Sequence, residues 1–243
     1  MYRGMENLLN GRAPLDGLVI TPRICGICST AHLAAASKAL DMFYDVEVPD
    51  NGLRVRNVTL MVEQLQNDLR HAMLLFLPDL IHSRYANQSL YGEAFRRYAV
   101  LKGETTLQTV TETKRLLEII AILGGQWPHS SFMVPGGVVS VPAASDIIHC
   151  RHILRNFRTW YEERILGCTL DKLDGLRSWG DLKSWLVDSP EHHGSELGFF
   201  IRYGLEIGLD TIGRAHDTFI SCGGPDLPKE TAVERQGGDQ GFS

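Results

Sequence analysis

Apolar residues recur along this chain at the three-to-four-residue spacing of helix faces, and clusters of glycine and proline interrupt them. The first 28 residues read as a loop-rich lead-in, with Gly11, Pro14, Gly17 and Pro22 as punctuation. From Ser29 the pattern turns helical: Ser29 or Thr30 can cap, and Ala31, Leu33, Ala36, Ala39 and Leu40 follow. Asp50-Asn51-Gly52 reads as a turn. An amphipathic helix then starts near Leu53, carries Leu60, Leu65, Leu69, Met73 and Phe76, and ends before Pro78. Another helix covers about Glu104 to Leu123 and stops at Gly124-Gly125. A glycine- and proline-rich loop runs to Pro142, and Ala143 to about Leu173 reads as one more long helix. Beyond Gly175 the chain looks irregular, with short apolar runs that fit strands. The end, from Glu230, is polar and glycine-rich. The pattern predicts one mainly α domain over residues 1–243 with minor strands and a poorly ordered tail over 229–243.

Composition narrows the class. With 243 residues, 44% hydrophobic and 22% charged, the chain can bury a real core. A net charge of −5 without a basic cluster argues against a nucleic-acid partner. The longest apolar runs, such as Ala72 to Pro78, are too short to span a bilayer, and the N-terminus has no signal-peptide pattern. The five cysteines (Cys25, Cys28, Cys150, Cys168 and Cys222) are scattered apart from one pair, which points to a reducing compartment and not a disulfide framework. The expected location is cytoplasmic, or at a membrane through partner subunits.

The chemistry concentrates in Arg23-Ile24-Cys25-Gly26-Ile27-Cys28-Ser29-Thr30-Ala31-His32. Two thiols three residues apart can be soft metal ligands, a redox pair or a buried reduced pair. A structural zinc site wants a second ligand pair, which the lone Cys150, Cys168 and Cys222 do not make. A thioredoxin-like pair wants an α/β context, and the surroundings here are helical. Metal ligation is favoured. His32, near one turn beyond Cys28, can donate an N–H to sulfur without binding metal, or be an ordinary hydrogen-bonding histidine. Arg23 can favour the thiolate form as a fixed positive charge, or be a solvated loop arginine.

This stretch resembles the N-terminal cysteine motif of the nickel–iron hydrogenase large subunit, R-x-C-G-x-C-x-x-x-H, at every fixed position. Arg3-Gly4-Met5-Glu6 is similar to that family's upstream R-G-x-E element. Gly124-Gly125-Gln126-Trp127-Pro128-His129 with Gly136-Gly137-Val138 is similar to its central element. The helical region around Glu63 to His71 is similar to a branch of uptake and hydrogen-sensing enzymes, and the likeness runs over roughly residues 2 to 228.

The resemblance implies a helical, truncated large-subunit domain and a nickel-dependent hydrogenase, an oxidoreductase that oxidises H2 reversibly to protons and electrons. Cys25 would be a terminal thiolate on nickel, and Cys28 would bridge nickel to an iron carrying cyanide and carbonyl ligands. His32 would hydrogen-bond a bridging sulfur. Glu6 would help hold a magnesium or iron ion near the C-terminus of the complete protein. His129 would lie toward the nearest cluster of an iron–sulfur small subunit, in a heterodimer that also needs maturation proteins. The family's second motif, D-P-C-x-x-C-x-x-H, is not found; Cys222 has no partner three residues on. The family's N-terminal segment, with a glutamate ascribed to proton relay, is also missing ahead of Met1. The expectation is therefore a piece of a large subunit, incomplete at both ends and inactive alone. A hydrogen-sensing subunit with the same metal site, and a non-catalytic structural or assembly homologue, are the alternatives.

Overall fold

A computed structural model of the chain describes residues 4–213. Arg3, Cys222 and the tail over 229–243 lie outside the described residues. In chain order the helices are α1 (Met5–Leu9), α2 (Gly17–Ile20), α3 (Ser29–Tyr44), α4 (Asp50–Arg70), α5 (Tyr91–Tyr98), α6 (Glu104–Gly124), α7 (Ala144–Trp160), α8 (Leu170–Asp174), α9 (Trp179–Asp188), α10 (Pro190–Gly194) and α11 (Glu196–Glu206). Strands β1 (Met133–Val134) and β2 (Gly137–Val138) pair as an antiparallel hairpin between α6 and α7. The mainly α class with minor strands is what the periodicity predicts.

The differences from the sequence reading have local causes. The lead-in is not all loop, because α1 and α2 form within it. Asp50-Asn51-Gly52 is the first turn of α4, where the Asp50 carboxylate suits the positive end of a helix. Before Pro78 the helix widens into a π-type turn over His71–Phe76, then tightens into a 3₁₀ turn over Leu77–Ile81. Proline lacks an N–H and its ring clashes with the carbonyl four residues back, so the α pattern cannot run through it. The long helix from Ala144 likewise ends in a π-type turn, Tyr161–Leu166, at Gly167 with φ 71°. A Cβ at Gly167 would lie 2.4 Å from the Glu191 carbonyl oxygen, so a side chain has no room there. Between Gly175 and Gly213, where the short apolar runs fit strands, the helices α9, α10 and α11 form instead. Ser178, Ser189 and Ser195 each accept a backbone N–H at the start of α9, α10 and α11.

The described residues pack as two compact units, one made of 4–61 with 123–141, the other of 62–122 with 142–213. In the first, Leu33 and Leu40 of α3 lie on one helix face and are buried with Leu18, Phe132 and Met133. Each such side chain contributes about 1.5–3 kcal/mol by leaving water. The β1–β2 turn is Pro135-Gly136, with Gly136 at φ 78°, a left-handed conformation that glycine enters at no steric cost. Arg56 of α4 ties this hairpin down. Its guanidinium meets Asp41 of α3 at 2.6 Å and donates to the carbonyls of Val134 (2.5 Å) and Gly137 (2.9 and 3.1 Å). Asp41 in turn accepts the Gly136 N–H at 2.8 Å.

The second unit is organised by another buried carboxylate. Glu196, at the start of α11, accepts Arg97 at 2.8 Å, the Thr105 hydroxyl at 2.8 Å and the Tyr98 phenol at 3.2 Å. Burial first, and the Glu196 charge second, push the Tyr98 phenol above its ordinary range, so it stays a neutral donor. Arg97 also meets Glu93 at 2.6 Å, which balances charge around the carboxylate.

Removing Arg56 leaves the Asp41 carboxylate without its cation, and takes from the two hairpin carbonyls the guanidinium donor they share. Arg56→Ala should lower unfolding stability by roughly 3–5 kcal/mol, the usual result of stripping one partner from a buried pair. Arg56→Lys should restore only part of this, because an ammonium lacks the planar fork. Urea unfolding checks both, and an Arg56→Ala loss under about 1 kcal/mol would contradict the assignment.

Candidate functional site

The cysteine motif lies between two helical pieces of the first unit. A 3₁₀ turn, Thr21–Ile24, with Pro22 buried at its start, delivers the chain to Cys25 in an extended conformation (φ −145°, ψ 129°). Three residues later Cys28 is the residue ahead of α3. The loop between folds back over the first sulfur, so that Cys25 Sγ accepts the backbone N–H groups of Ile27 (3.4 Å) and Cys28 (3.2 Å). Two amide dipoles on one sulfur suit a thiolate, and the positive end of the 16-residue α3 adds to them. Both cysteines are half-buried and, like Cys150 and Cys168, are in the reduced form.

His129 comes to this loop from about a hundred residues away. Its Nδ1 is 2.9 Å from the Pro22 carbonyl oxygen, and its backbone N–H donates to Ser29 Oγ at 3.3 Å. The ring edge faces Gly26: a Cβ built there would lie 3.8 Å from Cε1 and 3.9 Å from Nε2. A carbonyl only accepts, so Nδ1 carries a proton and is the donor in this contact. His129 has φ 65°, left-handed for a side-chain-bearing residue, and its neighbours hold it there. The Gln126 amide donates to the His129 carbonyl at 3.0 Å, Ser130 Oγ to the Gly124 carbonyl at 2.5 Å, and Ser131 Oγ to the Leu18 carbonyl at 3.0 Å.

The other sequence-predicted residues are placed differently. His32 is half-buried one turn into α3; its N–H meets the Cys28 carbonyl at 3.3 Å and its carbonyl accepts Thr21 Oγ1 at 3.3 Å. Among the described residues its ring makes no hydrogen bond to either sulfur. Arg23 is exposed and its guanidinium donates back to the Val19 carbonyl, one turn earlier. Glu6 is exposed on α1. Among the described residues no group of three or more His, Cys, Asp or Glu side chains is arranged to hold a metal ion. The structure thus brings together Cys25, Cys28 and His129. Ser29 and Pro22 complete that contact; the sequence marks them only as a possible cap and a loop proline.

Cys150 on α7 and Cys168 belong to the second unit. Cys168 Sγ accepts Trp185 Nε1–H at 3.3 Å. Burial, then the charge of Asp146, push the Cys150 thiol up.

Comparison with known proteins gives a consistent picture. Residues 3–94 match the sequence model of the nickel-dependent hydrogenase family. The chain is 33% identical over 161 residues to the periplasmic [NiFeSe] hydrogenase large subunit of Desulfomicrobium baculatum, covering 60% of this chain and 31% of that protein. It is 25% identical over 156 residues to the Hydrogenase-2 large chain of Escherichia coli (strain K12), covering 59% and 27%. Among solved structures, the Ni-Fe-Se hydrogenase of D. vulgaris Hildenborough in its reduced state superimposes with a TM-score of 0.57 at 26% identity, over 67% of this chain and 35% of that one. The chain spans about a third of the length of these relatives.

The Cys150 environment sets a pH dependence. Its folded-state thiol ionises later than a free cysteine, so alkylation of Cys150 should have its midpoint above that of a free cysteine. Asp146→Asn should bring that midpoint down, since the anion that opposes ionisation is gone while an amide oxygen can still accept the Ala143 N–H, now at 2.9 Å. Mass-resolved alkylation against pH measures it; a midpoint at or below the free-cysteine value is the contrary result.

Proposed function

We propose that the chain is part of a large subunit of the nickel–iron hydrogenases, and that Cys25 and Cys28 hold one side of a nickel–iron centre that oxidises dihydrogen. The observation that carries this reading is the cysteine loop, with two half-buried thiols at the head of α3 and two amides aimed at Cys25 Sγ. The donor chemistry fits such a centre: soft thiolates select nickel and iron–sulfur chemistry over hard cations. When bound, the centre supplies the heterolytic splitting of dihydrogen and hands on the electrons.

The chain's own residues do the rest. Cys25 and Cys28 would hold the centre through their thiolates, and Cys25 Sγ could carry a proton. His32 would turn a ring N–H toward a metal-bound sulfur, a contact it does not make with the bare thiols, and Arg23 would add only a screened positive charge near the loop. Glu6 offers a hard oxygen donor to a magnesium or iron ion. The remaining thiolates would come from a C-x-x-C-x-x-H segment, a motif that these 243 residues do not contain. Electrons leave one at a time, which calls for a small subunit carrying iron–sulfur clusters, and the His129 loop is the side offered to it. No described helix is long and apolar enough to cross a membrane.

Nickel content and hydrogen uptake test the reading. In the protein assembled with its partner, Cys25→Ser and Cys28→Ser should each lower uptake by more than about 100-fold and deplete nickel, since metal affinity depends on the whole deprotonated ligand set. The 243-residue chain alone should keep no stoichiometric nickel, whereas one extended by a C-x-x-C-x-x-H segment should gain it. Full nickel occupancy in the Cys28→Ser protein would falsify the assignment.

A further inference from the structure

We infer that His129 is a positioning residue for the thiol pair: its ring and backbone clamp the Cys25–Cys28 loop from both ends and fix where Cys25 Sγ lies. The inference takes from the proposed function only the purpose of that placement. The clamp has three contacts. Nδ1–H donates to the Pro22 carbonyl at 2.9 Å, three residues before the first cysteine. The backbone N–H donates to Ser29 Oγ at 3.3 Å, one residue after the second. Between them the ring edge packs over Gly26, at ordinary contact distance from where a Cβ would be.

A clamp works only if it is rigid, and this one is held on its far side. The left-handed backbone at His129 is maintained by the Gln126 amide, and the next two residues are bonded to Gly124 and Leu18. A conformation that side-chain-bearing residues avoid persists where the surroundings over-determine it. The loop it holds is short and has no regular structure between Ile24 and Ser29.

Two substitutions separate positioning from general support. Asparagine places an N–H donor where His129 has Nδ1 and tolerates a left-handed backbone; glutamine reaches the Nε2 position and leaves the Pro22 carbonyl without its donor. Amide hydrogen exchange of Ile27 and Cys28 reads the position of Cys25 Sγ directly, because these are the amides bonded to it. In the intact protein, His129→Gln should speed exchange at Ile27 and Cys28 by roughly tenfold, the ordinary net effect of one lost hydrogen bond. His129→Asn should stay within about threefold of the parent, and residues 36–44 of α3 should be unchanged in both. Equal exchange in the parent and both variants, or acceleration of residues 36–44 as large as that of the loop, overturns the inference. The readout needs no nickel. A parent protein that holds no nickel when assembled with its partner would overturn the proposed function, while the exchange pattern still decides the clamp.

Discussion

Arg56 and Asp41 are the contact on which the first unit depends. Both side chains are about nine-tenths buried, and an unpaired charge there would be costly to leave out of water. The structure answers by using nearly every polar atom. The guanidinium fork takes both Asp41 oxygens and the Val134 and Gly137 carbonyls, and Asp41 accepts the Gly136 N–H as well. Apolar burial of Leu33, Leu40, Phe132 and Met133 supplies most of the driving force, but it is tolerant of small slips. The ionic contact is not. It accepts one placement of a two-residue hairpin against two helices, and so it fixes register where oily packing alone would leave latitude.

That register reaches the cysteines. Asp41 lies near the end of α3 and Cys28 just before its start, about 20 Å apart along a single helix. The hairpin that Arg56 holds follows directly on Ser130 and Ser131, whose hydroxyls pin the loop of His129 to Gly124 and Leu18. The path from Arg56 therefore closes on itself. It runs along α3 to the cysteine loop, and back through the hairpin to the histidine that touches the same loop. A helix is stiff over this length, so a displacement of the hairpin has to appear at one of the two contacts.

How much of this can be read from the sequence follows from the range of each interaction. The helices α3, α6 and most of α4 are legible because their apolar positions repeat locally. The cysteine pair is legible because its ligand spacing is a local property too. The region after Gly175 does not read as helical, although Ser178, Ser189 and Ser195 each stand directly before a helix and Asp181, Glu191 and Glu196 follow in the first turns. The capping signal is there; the helices are short, with α10 only five residues long, too short for periodicity to show. The Tyr161–Leu166 turn is hidden for another reason. A π-type turn differs from an α turn by one residue of register, which composition does not encode. The link from His129 to Pro22 cannot be read at all. It spans 107 residues and ends on a backbone carbonyl, a group every residue carries.

The electrostatics of the cysteine loop differ from what its residue types suggest. An arginine near two thiols invites an account in which a full positive charge stabilises the thiolates. Yet the Arg23 guanidinium is exposed and bonded back to the Val19 carbonyl, and it is the amides of Ile27 and Cys28 that meet Cys25 Sγ. The distinction has physical content. An exposed guanidinium is screened by water and salt within about 10 Å, and a flexible side chain must be ordered before it can act. Backbone amides are neutral, cannot titrate, and are already fixed by the turn that contains them. Their stabilisation of an anionic sulfur therefore changes little with salt or pH, provided the turn keeps its shape. This makes the geometry of the loop, more than the charge around it, the quantity that the fold has to protect, and it explains why three separate anchors, at Pro22, Gly26 and Ser29, converge on so short a length of chain.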